Sequence, residues 1–236
     1  VKVSVLIPVY NEERTVAEVV RRVMAVPLEK EIILVDDGSQ DQSRQILDGL
    51  RQQSERTADP SNQLKVAFQP YNQGKGAALK QALAHVTGDI VIIQDADLEY
   101  DPKDYPALLE PIKNGVADVV YGTRFAGGGA HRVLFFWHSM GNRLLTLISN
   151  MLTNLNLSDM EVGYKVFRAE VLRNLNLKSN RFGFEPEITM KLAKRNCRFY
   201  EVPISYYGRT YEEGKKITWK DGAAALYYMI RFRLAD

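Results

Sequence analysis

The chain has 236 residues, 45% of them hydrophobic and 25% charged, with a formal net charge of +2 and one cysteine. That length and balance suit a globular protein that buries a core without staples. The lone Cys197 excludes a disulfide framework or a cysteine zinc site and fits a reducing compartment, and the small net charge gives no whole-molecule field for nucleic acid.

The chain opens directly on a strand pattern, KVSVLIPVY, rather than on a signal peptide. TVAEVVRRVMAV then places Val16, Val19, Val20 and Val23 at helical spacing. EIILVDDGS predicts a second strand ending in acid and turn residues, and SRQILDGLRQQSER a helix. TADPSNQ is a polar loop with Pro60, LKVAFQP a third strand, and GKGAALKQALAHV a helix opening on glycines. DIVIIQDAD predicts a fourth strand, YPALLEPIKNGV a helix, and DVVYGTRF a fifth strand. Alternating β-branched strands and helices predict an α/β fold, a Rossmann-like, mostly parallel sheet flanked by helices. Ligands of such sheets sit beyond the carboxyl ends of the strands.

The second half reads differently. AGGGAHRV is a basic, flexible loop, and LFFWHSMGNRLLTLISNMLTNL a helix rich in aromatics and leucine. GYKVFRAEVLRNL predicts a short strand and helix, EPEITMKLAKRN a helix, and FYEVPISYYGR a strand. WKDGAAALYYMIRFRLAD reads as an amphipathic basic helix. No run of about 18 apolar residues occurs, so no bilayer span is expected. With no strong linker, the chain is expected to form one domain over 1–236.

The run IVIIQDADLEY raises the first chemical question, because it crowds Asp95, Asp97 and Glu99 at the end of an apolar strand. Alternation along an extended chain would point all three to one side. Oxygen ligands of this kind suit Mg²⁺ or Mn²⁺; a solvated turn capping the next helix is the plainer explanation. In VDDGSQD, Gly38 and Asp41 are accounted for by a turn and a helix cap, which leaves Asp36 and Asp37 able to accept from a nucleobase or ribose. NQGKGAA is a glycine-rich strand-to-helix turn offering N–H groups to anions, without the spacing of a P-loop or a dinucleotide fingerprint.

In combination, PVYNEE, DDGSQD, NQGKGAA and DADLE follow four successive strands, and here the chain resembles glycosyltransferase family 2. The resemblance implies the GT-A fold. It implies a nucleotide-sugar-binding half over 1–125, with Pro8, Tyr10, Glu12, Asp37, Gly76, Asp95 and Ala96 around the donor. Asp95, Asp97 and Glu99 would surround a Mg²⁺ or Mn²⁺ ion bridging the diphosphate, with Asp97 counted as catalytic. YGTRF, DMEVGYKVF, FGFEPEI and RTYEEGKKITWKDG are similar to the polyisoprenyl-phosphate glycosyltransferases, the group of dolichol-phosphate mannose synthase. Those synthases usually carry Gln where Glu99 stands, which leaves the donor open between GDP-mannose, UDP-glucose and UDP-N-acetylglucosamine. The implied reaction is inverting transfer of a hexose to a dolichyl or undecaprenyl phosphate.

A phosphate acceptor needs cations more than a base, since its second pKa lies near about 6. Arg124, Arg132, Arg209, Lys215 and Lys216 are the candidates, and Arg124 is the foremost because it follows a strand at the ligand edge. Each is also explicable as ordinary surface charge. Phe135, Phe136, Trp137, Leu144, Leu145 and Leu147, beside Arg132 and Arg143, suit a membrane interface or, equally, packing on the sheet. The expected partners are the nucleotide-sugar, the lipid phosphate and a membrane surface on its cytoplasmic face, with no nucleic acid. His85 is expected at the surface, while His131 and His138 stay open as phosphate neighbours. Three alternatives stand. A soluble, polysaccharide or protein acceptor would call for a base such as Glu185 or Glu187. A sugar nucleotidyltransferase would want a Gly-rich, Arg-bearing loop that PVYNEE lacks. A non-catalytic nucleotide-sugar-binding protein would not require the acidic triplet.

Overall fold

The computed structural model describes residues 1–57, 62–126, 135–209 and 219–235. In chain order the elements are β1 (Val3–Val9), α1 (Val16–Ala25), β2 (Lys30–Asp36), α2 (Ser43–Thr57), β3 (Asn62–Phe68), α3 (Lys75–Leu83) and β4 (Ile90–Ile93). A short 3₁₀ turn precedes α4 (Tyr105–Lys113), then β5 (Val119–Thr123), α5 (Phe136–Thr153), β6 (Lys165–Arg168) and α6 (Ala169–Arg173). α7 (Phe184–Lys194), β7 (Phe199–Pro203) and α8 (Trp219–Leu234) complete the described chain. Every strand and helix read from the sequence is present.

The seven strands form one sheet in the order β3-β2-β1-β4-β6-β5-β7. β2 is buried along its whole length and β1 nearly so, as expected for parallel strands covered on both faces. α1 packs Val16, Val19, Val20 and Val23 onto this core, the face its valine spacing predicted. Lys30 is buried at the start of β2, where its ammonium donates to the carbonyls of Met24, Val26 and Leu28 and so caps the end of α1.

One departure from a purely parallel sheet matters for the site. β6 is antiparallel to both β4 and β5. The carboxyl ends of β1, β2, β4, β5 and β7 therefore share one edge with the beginning of β6. The segment leading into Lys165 is delivered to that edge, whereas a parallel strand would have delivered the segment leaving it. The opposite edge carries its own acid, Glu31. It is buried, yet Lys65 at 2.8 Å, Ser4 and Thr87 hold its carboxyl down to about 2. Glu31 is thus a paired structural charge.

Candidate active site

β4 ends at Ile93 and the chain turns immediately. The expectation of an extended acidic triplet is therefore corrected. Leu98 adopts a left-handed φ of 61°, a conformation that costs a residue with a Cβ on the order of 1–2 kcal/mol. The three carboxylates divide between two cations. Asp95 meets the Lys75 ammonium at 2.9 Å, and Lys75 meets Glu185 at the same distance on its other side. Asp97 lies 3.0 Å from the Arg209 guanidinium and Glu99 3.7 Å from it. Glu12, from the turn after β1, reaches the same guanidinium at 3.2 Å. Glu99 also accepts from the Arg209 backbone N–H and from the Tyr206 hydroxyl.

The electrostatics show a surplus of negative charge. Burial pushes the Asp97 carboxyl up to about 7, and repulsion from Asp95 and Glu99 adds to the shift. Burial alone would lower the Lys75 pKa, but Asp95 and Glu185 hold it well above the usual lysine range. Among the described residues no three acidic, histidine or cysteine side chains converge at metal-binding distance. The donor set nevertheless fits a hard divalent ion: Asp95, Asp97 and Glu99 offer only oxygen, and a cation would relieve the repulsion borne by Asp97.

The neighbouring turns are built to hold this edge. Asp37, buried at the end of β2, accepts from the N–H groups of Gln73 and Gly74 and from the Asn72 amide. Burial still pushes its carboxyl up from the ordinary value. It thereby fixes the turn into α3 that positions Lys75. Gly76, expected to approach the nucleotide, lies against the chain at 179–180, where a Cβ would stand 2.5 Å from the Ser179 carbonyl oxygen. Asp41 accepts from the Ser43 N–H at the start of α2, the capping role read from sequence. Pro8, Tyr10 and Ala96 lie at the same carboxyl edge, Ala96 buried and the other two half-buried. His85 is exposed, as expected.

Arg124 follows β5 on the far side of the edge. Its Nε and one terminal nitrogen donate to the two oxygens of Asp159 at 2.6 and 2.7 Å, and Asp159 is fully buried. Asp159 also accepts from the Asn142 amide of α5. The guanidinium carbon lies 5.1 Å from the centre of the Tyr206 ring, the same tyrosine that donates to Glu99. A continuous chain of contacts thus runs from the carboxylates to α5. Arg209, expected beside Arg124 at an acceptor phosphate, sits instead among the carboxylates expected to hold metal. His131, Arg132, Lys215 and Lys216 lie outside the described residues.

α5 divides its apolar residues between two faces, with Leu145, Ile148 and Leu152 packed against the core. Its buried residues include Thr146 and Ser149, while Phe136, Trp137, Met140, Leu144, Leu147 and Met151 are all exposed, Trp137 by 80%. Its two large aromatics, Phe136 and Trp137, do not pack on the sheet. Among the described residues no helix is long and apolar enough to cross a membrane.

Sequence reasoning did not single out Lys75, Asp159 or Tyr206. All three sit inside or beside the quoted motifs, but their partners lie 20 to more than 100 positions away in the chain. Glu185 and Glu187, considered as bases, are both engaged. Glu185 holds Lys75, and Glu187 accepts from the N–H groups of Lys178 and Ser179.

Residues 4–175 match the pattern of Glycosyl transferase family 2. The chain belongs to that family. Among curated proteins it is similar to the undecaprenyl-phosphate 4-deoxy-4-formamido-L-arabinose transferase of Edwardsiella ictaluri, at 30% identity over 90% of this chain and 62% of that protein. The protein of the same name from Pseudomonas aeruginosa is 32% identical over 90% of this chain and 60% of its own length. The chain therefore spans roughly three-fifths of these relatives. Among solved structures it resembles glucosyl-3-phosphoglycerate synthase from Mycobacterium tuberculosis. The complex of that protein with Mn²⁺, UDP and phosphoglyceric acid superposes with a TM-score of 0.73 at 19% identity, covering 100% of this chain and 79% of the other. Its complex with Mn²⁺, UDP-glucose and phosphoglyceric acid gives 0.72 at 21%, over 98% and 79%. At such identity the likeness is one of fold, and the fold is the GT-A arrangement expected for family 2.

Proposed function

We propose that this family 2 glycosyltransferase transfers a hexose, with inversion, from a nucleotide-sugar to a polyisoprenyl phosphate at a membrane surface. The observation that carries the proposal is the chain of contacts Glu99–Tyr206–Arg124–Asp159–Asn142. It sets a fixed guanidinium between the acidic turn and a helix whose apolar side chains face outward. A ligand with a charged phosphate and an apolar tail matches that layout. The curated relatives, named for undecaprenyl phosphate, and the neighbour solved with UDP-glucose support it.

In this reading residues 1–125 form the donor half and 126–236 the acceptor half. Pro8, Tyr10, Glu12, Asp37 and Ala96 border the nucleoside of GDP-mannose or UDP-glucose. Asp95, Asp97 and Glu99 would hold Mg²⁺ or Mn²⁺, whose charge would offset that of the leaving diphosphate. Arg124, with Arg132 and Lys215, holds the acceptor phosphate. One phosphate oxygen attacks the anomeric carbon as the bond to the diphosphate breaks on the opposite face, and no side chain need remove a proton. Arg209 leaves Glu12, Asp97 and Glu99 when the donor arrives and turns to phosphate. α5, with the exposed Tyr227, Ile230 and Leu234 of α8, lies on the lipid surface.

The test is incubation with radiolabelled GDP-mannose, UDP-glucose or UDP-N-acetylglucosamine, undecaprenyl phosphate and Mn²⁺ or Mg²⁺. Label should enter the organic phase from one donor and fall to background with EDTA. Transfer to simple alcohols in place of the lipid phosphate would overturn the acceptor assignment.

A further inference from the structure

The segment 159–163, delivered to the ligand edge by the antiparallel β6, is held by side chains and backbone groups at several points. Asp159 binds Arg124 and Asn142, and its N–H reaches Glu201. The Met160 N–H donates to Thr146 Oγ1 at 3.1 Å. The carbonyls of Met160 and Val162, on either side of Glu161, both accept from the Lys165 ammonium. The Gly163 N–H donates to the Tyr100 hydroxyl at 3.0 Å. A Cβ on Gly163 would lie 2.2 Å from Asp95 Oδ2, so the segment presses directly on the acidic turn.

Glu161 is the exception. Its Oε1 is buried and has no hydrogen-bond partner. Native proteins seldom leave a buried polar atom unpaired without a role for it. The charged groups facing it are Glu185 of α7, Lys165 of β6, Arg124 after β5 and Asp159 in its own segment. Lys165 is already engaged by carbonyls and Arg124 by Asp159. Burial, reinforced by Glu185, pushes the Glu161 carboxyl up to about 7.

We propose that Glu161 accepts a hydrogen bond from a hydroxyl of the transferred sugar and thereby determines which sugar the site accepts. The inference rests on the nucleotide-sugar reading above. Between Asp95 on the diphosphate side and Arg124 on the acceptor side lies the place a sugar must occupy for in-line displacement. A carboxyl group flanked by Glu185 and Asp159 is poorly suited to phosphate and well suited to a neutral hydroxyl. A rigid backbone with one unpaired acceptor is also what specificity requires, since a donor lacking the hydroxyl leaves the carboxylate buried and unpaired.

Two arms test this with Glu161→Gln and Glu161→Ala in the full chain. The first measures affinity for UDP, UDP-glucose, GDP and GDP-mannose with Mn²⁺ by calorimetry. The sugar nucleotide bound by the wild type should lose tenfold or more in the Ala variant, while the matching diphosphate changes less than twofold. Equal change in both overturns the proposal. If the wild type binds neither diphosphate, the nucleotide-sugar reading fails and this inference falls with it. The second arm is thermal melting and does not depend on the donor. The folded protein holds a proton on Glu161 that the unfolded chain releases, so stability falls as pH rises from 4.5 through about 7. Glu161→Gln should melt at or above the wild type at pH 8, with a weaker pH slope. A clear fall in melting temperature would make Glu161 a structural residue and overturn the proposal.

Discussion

Two arginines stand at the same sheet edge and are held in opposite ways. Arg124 is bound by one carboxylate, Asp159, through two short, well-aligned bonds. Arg209 is shared by Glu12, Asp97 and Glu99 at 3.0 to 3.7 Å, and its buried Nε has no hydrogen-bond partner. The first end is balanced, one charge against one. The second is overcharged, and the strain shows in Asp97. A balanced pair is a fixture that positions a side chain. An overcharged cluster is where an added cation would bring the larger gain.

The comparison is broken most directly at Asp97. Asp97→Asn should reduce turnover by 10³-fold or more and abolish Mn²⁺-dependent nucleotide binding, while the metal-free protein melts no lower than the wild type. Full activity in a radiolabel transfer assay would sink the metal assignment. The balanced end should respond in the opposite sense. Asp159→Ala leaves Arg124 buried and unpaired, which costs about 3–5 kcal/mol and should appear in urea denaturation. A loss below about 1 kcal/mol would mean that Arg124 finds solvent or another partner. The smallest effect is expected where α5 reaches outward. Trp137→Ser combined with Leu144→Ser should leave the melting temperature nearly unchanged, because both side chains are exposed, yet weaken sedimentation with anionic lipid vesicles several-fold. Unchanged vesicle binding would remove α5 from the lipid surface.

Most of the fold was legible because β-branched apolar runs and valine spacing report local structure directly. The antiparallel direction of β6 was not. KVFR is four residues long, and nothing local says which way it runs between β4 and β5. Its direction is set by pairing with strands 45 and 75 residues earlier. The site divides in the same way. Asp95, Asp97 and Glu99 announced themselves by crowding, but the turn at Leu98 that parts them did not. Arg209 looked like one of several loop cations, since its partnership with Glu12 spans 197 positions. Glu161 passed as an ordinary acid in DMEVGYKVF. Its isolation becomes visible only once the neighbouring cations, Lys165 and Arg124, are seen to be engaged elsewhere.

The placement of β6 has a consequence for how the protein is made. β1 to β4 pair among themselves in the order β3-β2-β1-β4, so they can assemble as soon as residue 93 has been synthesised. β5 follows within 30 residues but has no edge to join, because its neighbours β6 and β7 are still to come. Until residues 165–168 emerge, the rim of β4 lies open and the acidic turn lacks Tyr206, Arg209 and the 159–163 segment. A nascent chain thus carries a formed core well before it carries a site, and the open rim is the surface through which it would aggregate.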